Sequence, residues 1–137
     1  MYSATQKIAT YQQVQTETAT PAERVVLLYQ GMVRFLNRAL RCHARGDLAG
    51  MNRDLIRTQS ILLELIAALD FSGGPEAQAI GENLLRLYDY CYRRLVEANL
   101  QKDPRAVEEV LGLLRPLLTA WEEVAQKTAG ETLVAIR

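Results

Sequence analysis

Few residues in this sequence can carry enzymatic chemistry. The 137-residue chain contains one histidine, His43, and two cysteines, Cys42 and Cys91. A ferritin-like metal site needs Glu-x-x-His pairs on facing helices, and the sequence has none. It also lacks a phosphate-binding glycine loop, a nucleophile elbow and a histidine-based zinc motif. We therefore expect a protein that is not an enzyme and needs no metal or cofactor. Two thiols at core positions favour a reducing, cytoplasmic setting over a disulfide framework.

Long apolar runs and an excess of one charge are absent as well. No stretch of about 18 apolar residues occurs, so we expect no membrane insertion. The polar start, MYSATQKIATYQQ, lacks the apolar segment of a signal peptide. The formal net charge is zero, so no field of the whole protein attracts nucleic acid. A hydrophobic content of 49% is enough for one domain with a core.

Residues that start or stop helices divide the chain into four long segments. The start signals are Thr20 with Pro21, Asp47, Pro75, and Asp103 with Pro104. We predict helices over 20–45, 47–70, 75–101 and 103–128, with a kink at Pro116. Because no segment alternates with a period of two, strands are not expected. The prediction is an all-α, antiparallel four-helix bundle. A mobile or loosely docked N-terminal arm over 1–19 precedes it, and a C-terminal tail over 129–137, interrupted by Gly130, follows it.

Each predicted helix carries an apolar stripe that indicates its core-facing side. On the first helix the stripe consists of Val25, Leu28, Met32, Phe35, Leu36 and Ala39. On the later helices the stripes include Leu48, Ile80, Tyr88 and Val124. Each residue of a helix is rotated by about 100° from the one before it. The three tyrosines of the segment RLYDYCYRRLVEAN therefore point in three different directions. Tyr88 is predicted to lie in the core, Tyr90 among surface charges, and Tyr92 on the margin of the stripe.

Three of the four helices have apolar residues beyond the core stripe. These extra residues are Val26 and Val33 on the first helix, Ile56 and Leu63 on the second, and Leu85, Tyr92 and Val96 on the third. One interpretation is a thick core, or a surface covered by the arm and the tail. The other is an exposed groove for a partner, because exposed apolar patches mark interaction sites. The pattern alone leaves both interpretations open, with the first favoured.

Arginines line the outer faces of the first two predicted helices. They are Arg34, Arg38, Arg41 and Arg45 on the first helix, and Arg53 and Arg57 on the second. An anion or nucleic-acid surface is one interpretation of this stripe. A solvated helix face is favoured, because no aromatic platform interleaves with the arginines and Glu64 shares their arc on the second helix.

Two segments, TPAERVVLLYQGMVRFLNRAL and AWEEV, resemble parts of a known family. The family is the flagellar export chaperones of the FliS type, and the two matches are to their first helix and to the end of their last long helix. GGPEAQAIGENLLRLYDYCYRRLVEANLQKDP resembles their most distinctive segment. The resemblance covers about residues 8 to 125. Departures are Gln30 in place of an acid, Cys91 in place of a methionine, and the inserted Pro75.

The resemblance implies a cytoplasmic, non-enzymatic chaperone of flagellum biogenesis. Such a protein binds the disordered C-terminal segment of flagellin, which wraps around the bundle and becomes helical in apolar grooves. It prevents premature polymerisation and delivers flagellin to the flagellar type III export gate. The expected partners are flagellin, a component of the export gate and other flagellar regulators. The groove residues would be Val26, Val33, Ile56, Leu63, Leu85, Tyr92 and Val96.

Two other functions stay open at this point, together with a role for the arm. One is a generic helical adaptor that docks a partner helix, and the other is a bundle that binds anions or nucleic acid. In the arm, KIATYQQV places Ile8, Tyr11 and Val14 at helical spacing. The family has an apolar residue, a tyrosine and a valine in this region. We expect this segment to cover the apolar margin in the free protein and to move when flagellin binds.

Overall fold

The computed structural model describes the backbone of residues 19–136 and the side chains of residues 19–129. This part of the chain forms four α-helices: α1 (Pro21–Ala44), α2 (Leu48–Ala67), α3 (Pro75–Gln101) and α4 (Pro104–Ile136). Residues 19–136 contain no strand. Helix α1 packs against α2 and α4, and α3 packs against the same two neighbours. The prediction of an all-α, antiparallel four-helix bundle is confirmed.

Side-chain caps fix two of the helix starts where the sequence predicted them. The Thr20 hydroxyl accepts a hydrogen bond of 3.2 Å from the Glu23 N–H. The Asp47 carboxylate accepts one of 2.9 Å from the Gly50 N–H. This second bond, more than the nearby Arg45, lowers the pKa of Asp47. Each cap satisfies a backbone donor that has no partner inside the helix.

Two helix ends differ from the predicted positions. Helix α2 ends at Ala67, before Asp70, whose carboxylate instead accepts hydrogen bonds from the backbone and side chain of Ser72. Helix α4 continues through Gly130 to Ile136, where a separate tail was expected. A glycine costs about 1 kcal/mol within a helix but does not by itself end one. Pro116 lies inside this single helix, as predicted.

Two tyrosines join the diagonally opposed helices α1 and α3 at the centre of the core. Tyr29 and Tyr88 are buried, and their hydroxyl oxygens lie 2.6 Å apart. The rings meet edge to face, with centroids 6.4 Å apart. Burial raises the pKa of both hydroxyls above the ordinary range and raises the pKa of Cys91 to about 11. Tyr88 was predicted as a core residue, whereas Tyr29 was absent from the predicted stripe.

Four residues of the predicted stripes are not in the core. Leu48 and Ile80 are exposed, and they lie in the first turn of α2 and the second turn of α3, near the ends of the bundle. Val124 is exposed because Trp121 and Ala125 occupy the inward positions beside it. The fourth, the half-buried Phe35, stacks against arginine side chains.

Candidate partner-binding surface

Five of the predicted groove residues lie along the seam between α2 and α3. Ile56, Leu63, Leu85 and Val96 are between 36% and 52% exposed. Single exposed apolar side chains are common on protein surfaces, but several grouped along one seam form a patch. Tyr92 is half-buried and packs against the core. These five residues are called the α2–α3 strip below.

A hydrogen bond between the two helices fixes the alignment of the strip. The side-chain amide N–H of Asn99 on α3 donates a hydrogen bond of 2.6 Å to the side-chain oxygen of Asn52 on α2. At a rise of about 1.5 Å per residue, Val96 and Ile56 lie about 5 Å from this pair along the helices. Tyr92 follows at about 10 Å, and Leu63 and Leu85 lie at about 16–21 Å. The strip is therefore an apolar surface about three turns of helix long.

The strip is a surface rather than a deep cavity. Two depressions, of about 670 Å³ and about 300 Å³, lie on the α1–α2 and α1–α4 seams instead. A long, shallow apolar surface suits the side of an amphipathic helix, whose anchors recur every three or four residues. It does not suit a small molecule, which needs an enclosing pocket.

Val26 and Val33 lie on a different side of the bundle from the strip. Val26 lines the smaller depression with Glu122, Ala125 and Gln126 of α4. Val33 is half-buried and packs against the core. The structure thus divides the seven predicted bundle residues into a set of five on the α2–α3 seam and two on α1. Ile8, Tyr11 and Val14 of the predicted arm lie outside the described residues.

Tyr90 contacts a residue of α4, which the pattern of α3 alone could not predict. Its hydroxyl donates a hydrogen bond to the Glu109 carboxylate on α4. The guanidinium of Arg94 donates to Glu109 at 3.0 Å and to Glu97 at 2.8 Å. These bonds, that of Tyr90 first, lower the pKa of Glu109. Tyr90 is an exposed ring among charges, as predicted, but it also links α3 to α4.

Replacing Tyr90 by phenylalanine should slightly lower the thermal midpoint of unfolding, because the bond to Glu109 is lost while the exposed ring remains. The decrease should be much smaller than that caused by truncating a core residue, since exposed hydrogen bonds compete with water. Thermal unfolding of Y90F, E109Q and the double variant tests this. If the single effects simply add in the double variant, the Tyr90–Glu109 bond contributes nothing to stability.

Other kinds of site find little support in the described part of the chain. Residues 19–129 contain no group of three His, Cys, Asp or Glu side chains placed to hold a metal ion. Among the described helices, none combines the length and apolarity needed to cross a membrane.

Comparison with known proteins assigns the family. The family model described as flagellar protein FliS matches residues 4–128. The chain belongs to the FliS family. It is 37% identical over 134 residues to the flagellar secretion chaperone FliS of Salmonella typhimurium, covering 94% of this chain and 96% of that protein. The FliS chaperone of Bacillus subtilis is 34% identical over 116 residues, covering 85% of this chain and 84% of that protein.

A third FliS chaperone, from Escherichia coli, is 34% identical over 107 residues, covering 77% of this chain and 76% of that protein. All three relatives are named as secretion chaperones. The FliS family is a family of chaperones rather than enzymes, which confirms the prediction made from the missing catalytic motifs. The family resemblance stated from the residues is also confirmed.

Proposed function

We propose that this FliS-family protein is a cytoplasmic chaperone that binds the C-terminal segment of flagellin on the α2–α3 strip. Binding prevents premature polymerisation and keeps flagellin ready for delivery to the flagellar type III export gate. The observation that carries the proposal is the row of exposed apolar side chains that both helices contribute along one seam. The names of the relatives, flagellar secretion chaperones, agree with it.

The physics of the strip favours a segment that folds on binding. A disordered segment gains helical hydrogen bonds and buries its apolar face when it lies along the strip, which offsets its loss of conformational entropy. The strip offers apolar contacts from both helices over about three turns, which matches anchors spaced along one side of a ligand helix. A folded partner would have to present such a helix already exposed.

Changing Leu63 to serine should weaken binding of the flagellin C-terminal peptide by about tenfold, because an apolar anchor of the strip is lost. Isothermal titration calorimetry with the peptide of the cognate flagellin measures this. The matched control is Val124→Ser, because Val124 is 45% exposed, much as Leu63 is, but lies on α4 and not on the α2–α3 seam. The control should bind like the parent protein.

Two outcomes would contradict the proposal. If the parent protein does not bind the peptide, it acts as a different kind of adaptor. If Leu63→Ser and Val124→Ser bind equally well, flagellin uses another surface. A matched secretion assay in a strain that lacks its own chaperone tests delivery. Leu63→Ser should lower the flagellin found outside the cell relative to Val124→Ser.

A further inference from the structure

A buried carboxylate lies on the opposite seam, between α1 and α2. The side chain of Asp54 is 0% exposed. Arg38 Nε of α1 and Arg57 Nη1 of α2 each lie 3.6 Å from one of its oxygens. Within the described part of the chain, neither oxygen has a hydrogen-bond partner. Burying a carboxylate without compensation is costly, so the two guanidinium groups supply the charge that offsets Asp54.

One of these arginines, Arg57, also contacts the aromatic ring of Phe35. The guanidinium carbon of Arg57 lies 5.5 Å from the centroid of Phe35, and that of Arg34 lies 5.4 Å from it. Both are within the range of cation–π attraction. Arg34, Arg38 and Arg57, together with Phe35 and Asp54, are called the arginine cluster below. Its cations are restrained by specific contacts, unlike those of an ordinary solvated helix face.

The arginine cluster carries an excess of positive charge that faces solvent. Three guanidinium groups against one carboxylate leave two positive charges, although the whole chain has a formal net charge of zero. The side chains of Arg38 and Arg57 are 41% and 47% exposed. Glu64, the next acid along the seam, has no salt bridge to the cluster in the described residues. Unused N–H donors of the cluster are therefore free to meet an anion.

We propose that the arginine cluster docks an acidic segment of a partner protein, with Asp54 and Phe35 as positioning residues. Arg34 and Arg38 are one helical turn apart, about 6 Å along the axis, which matches acids spaced four residues apart on a partner helix. Guanidinium groups bind carboxylates through paired, directed hydrogen bonds, and holding them in place beforehand lowers the entropy lost on binding.

The adjoining depression extends this recognition to apolar side chains. Arg34 lines both the cluster and the depression of about 670 Å³, whose wall includes Val25, Leu28 and Leu65. A segment that carries apolar residues beside its acids can therefore fill the depression while its carboxylates meet the arginines. Acidic peptide fits better than nucleic acid, because the one aromatic ring of the cluster, Phe35, already stacks on guanidinium groups and is not free to stack on a base.

The arginine cluster and the α2–α3 strip can be occupied at the same time. Asp54 and Ile56 are two positions apart on α2, and so their side chains point about 200° apart around the helix axis. A ligand on the strip therefore leaves the cluster open. The inference goes beyond the proposed chaperone function, since it assigns a second surface to a different partner.

Fluorescence anisotropy with two labelled peptides tests the proposal. One is a helix-forming peptide of alanine and leucine with glutamate at every fourth position, and the other has glutamine in place of each glutamate. The full chain should bind the glutamate peptide and not the glutamine peptide at low ionic strength. Replacing Arg38 and Arg57 together by glutamine should weaken that binding by about tenfold or more, the effect of losing two charge-assisted contacts.

The matched control replaces Arg41 and Arg53 by glutamine, which removes the same charge from the same two helices without touching Asp54. Equal losses in the two double variants would show a general charge effect and overturn the proposal. So would failure of the parent chain to prefer the glutamate peptide. Tighter binding of a short single-stranded RNA through the same two arginines would assign the cluster to nucleic acid instead.

The variant Asp54→Asn tests whether Asp54 holds the arginines in position or only adds a negative charge to the cluster. If the cluster acted only as a positive field, removing a negative charge would strengthen binding of the glutamate peptide. If Asp54 holds Arg38 and Arg57 in place, binding should weaken in spite of the added positive charge. Circular dichroism checks that the variant remains helical. Flagellin peptide affinity should stay unchanged in every variant of the cluster, since the α2–α3 strip lies on the other side of α2.

Discussion

Replacing Tyr88 by alanine should lower the free energy of unfolding by about 3–5 kcal/mol, the cost of truncating a buried aromatic residue. Tyr88 is 2% exposed, so its ring leaves a cavity in the core that the neighbouring helices cannot easily fill. The change also removes the link to the Tyr29 hydroxyl, 2.6 Å away. Urea unfolding followed by far-ultraviolet circular dichroism measures the loss, with the slope checked for two-state behaviour.

Phenylalanine substitutions separate the hydroxyl pair from the packing of the rings. Tyr88→Phe keeps the ring but leaves the buried Tyr29 hydroxyl without this partner, which should cost about 1–3 kcal/mol. Replacing both tyrosines by phenylalanine should recover part of that loss, because neither hydroxyl is then left unpaired. A Tyr88→Ala protein as stable as its parent would mean that the ring does not lie in the core.

Tyr92→Ala should weaken binding of the flagellin C-terminal peptide by about 2 kcal/mol or more, as expected for a central aromatic anchor. Its ring lies midway along the α2–α3 strip, with one side on the core and the rest open to a ligand. Because Tyr92 is only half-buried, the loss in stability should be smaller than for Tyr88→Ala. Calorimetric titration and thermal unfolding of the same preparations measure both quantities.

Tyr88→Ala and Tyr92→Ala should have opposite effects on stability and on peptide affinity, and this contrast tests the strip. Tyr88→Ala should mainly lower stability, and Tyr92→Ala should mainly lower affinity. Tyr90→Ala serves as the surface control and should bind the peptide like the parent protein. If Tyr92→Ala unfolds as easily as Tyr88→Ala and binds the peptide normally, its ring belongs to the core and the α2–α3 strip is not the flagellin surface.

The sequence was sufficient to predict the bundle because local signals mark its helices. Thr20 and Asp47 cap α1 and α2 in the predicted way, and the rotation of the third helix placed Tyr88 inside and Tyr90 outside. These features depend on neighbours within a few residues. Two helix ends were placed less well: α2 ends at Ala67 rather than at 70, and the backbone of α4 continues as a helix through Gly130 to Ile136, because a glycine does not by itself end a helix.

Contacts between helices could not be read from the pattern of one helix. Rotation about a helix axis gives the direction of a side chain but not the residue that it meets. Tyr90 was therefore placed at the surface without its partner Glu109, and Val26 was grouped with residues that lie on another seam. Tyr29 was missed although it falls on the predicted stripe, four residues after Val25 and seven before Leu36, so the period of the first helix could have found it. Its contact with the Tyr88 hydroxyl could not be predicted from either helix alone.

The order of the helices along the chain also bears on how the protein is made. The two walls of the α2–α3 strip are consecutive, and the ribosome completes both before α4 begins at Pro104. The core beneath them is still open at that moment, because Val107, Val110 and Leu114 of α4 are among its fully buried residues. A nascent chain that ends near residue 103 therefore exposes both its strip and its unfinished core. Once α4 has left the ribosome and packed against the other helices, the core is covered and the strip remains exposed.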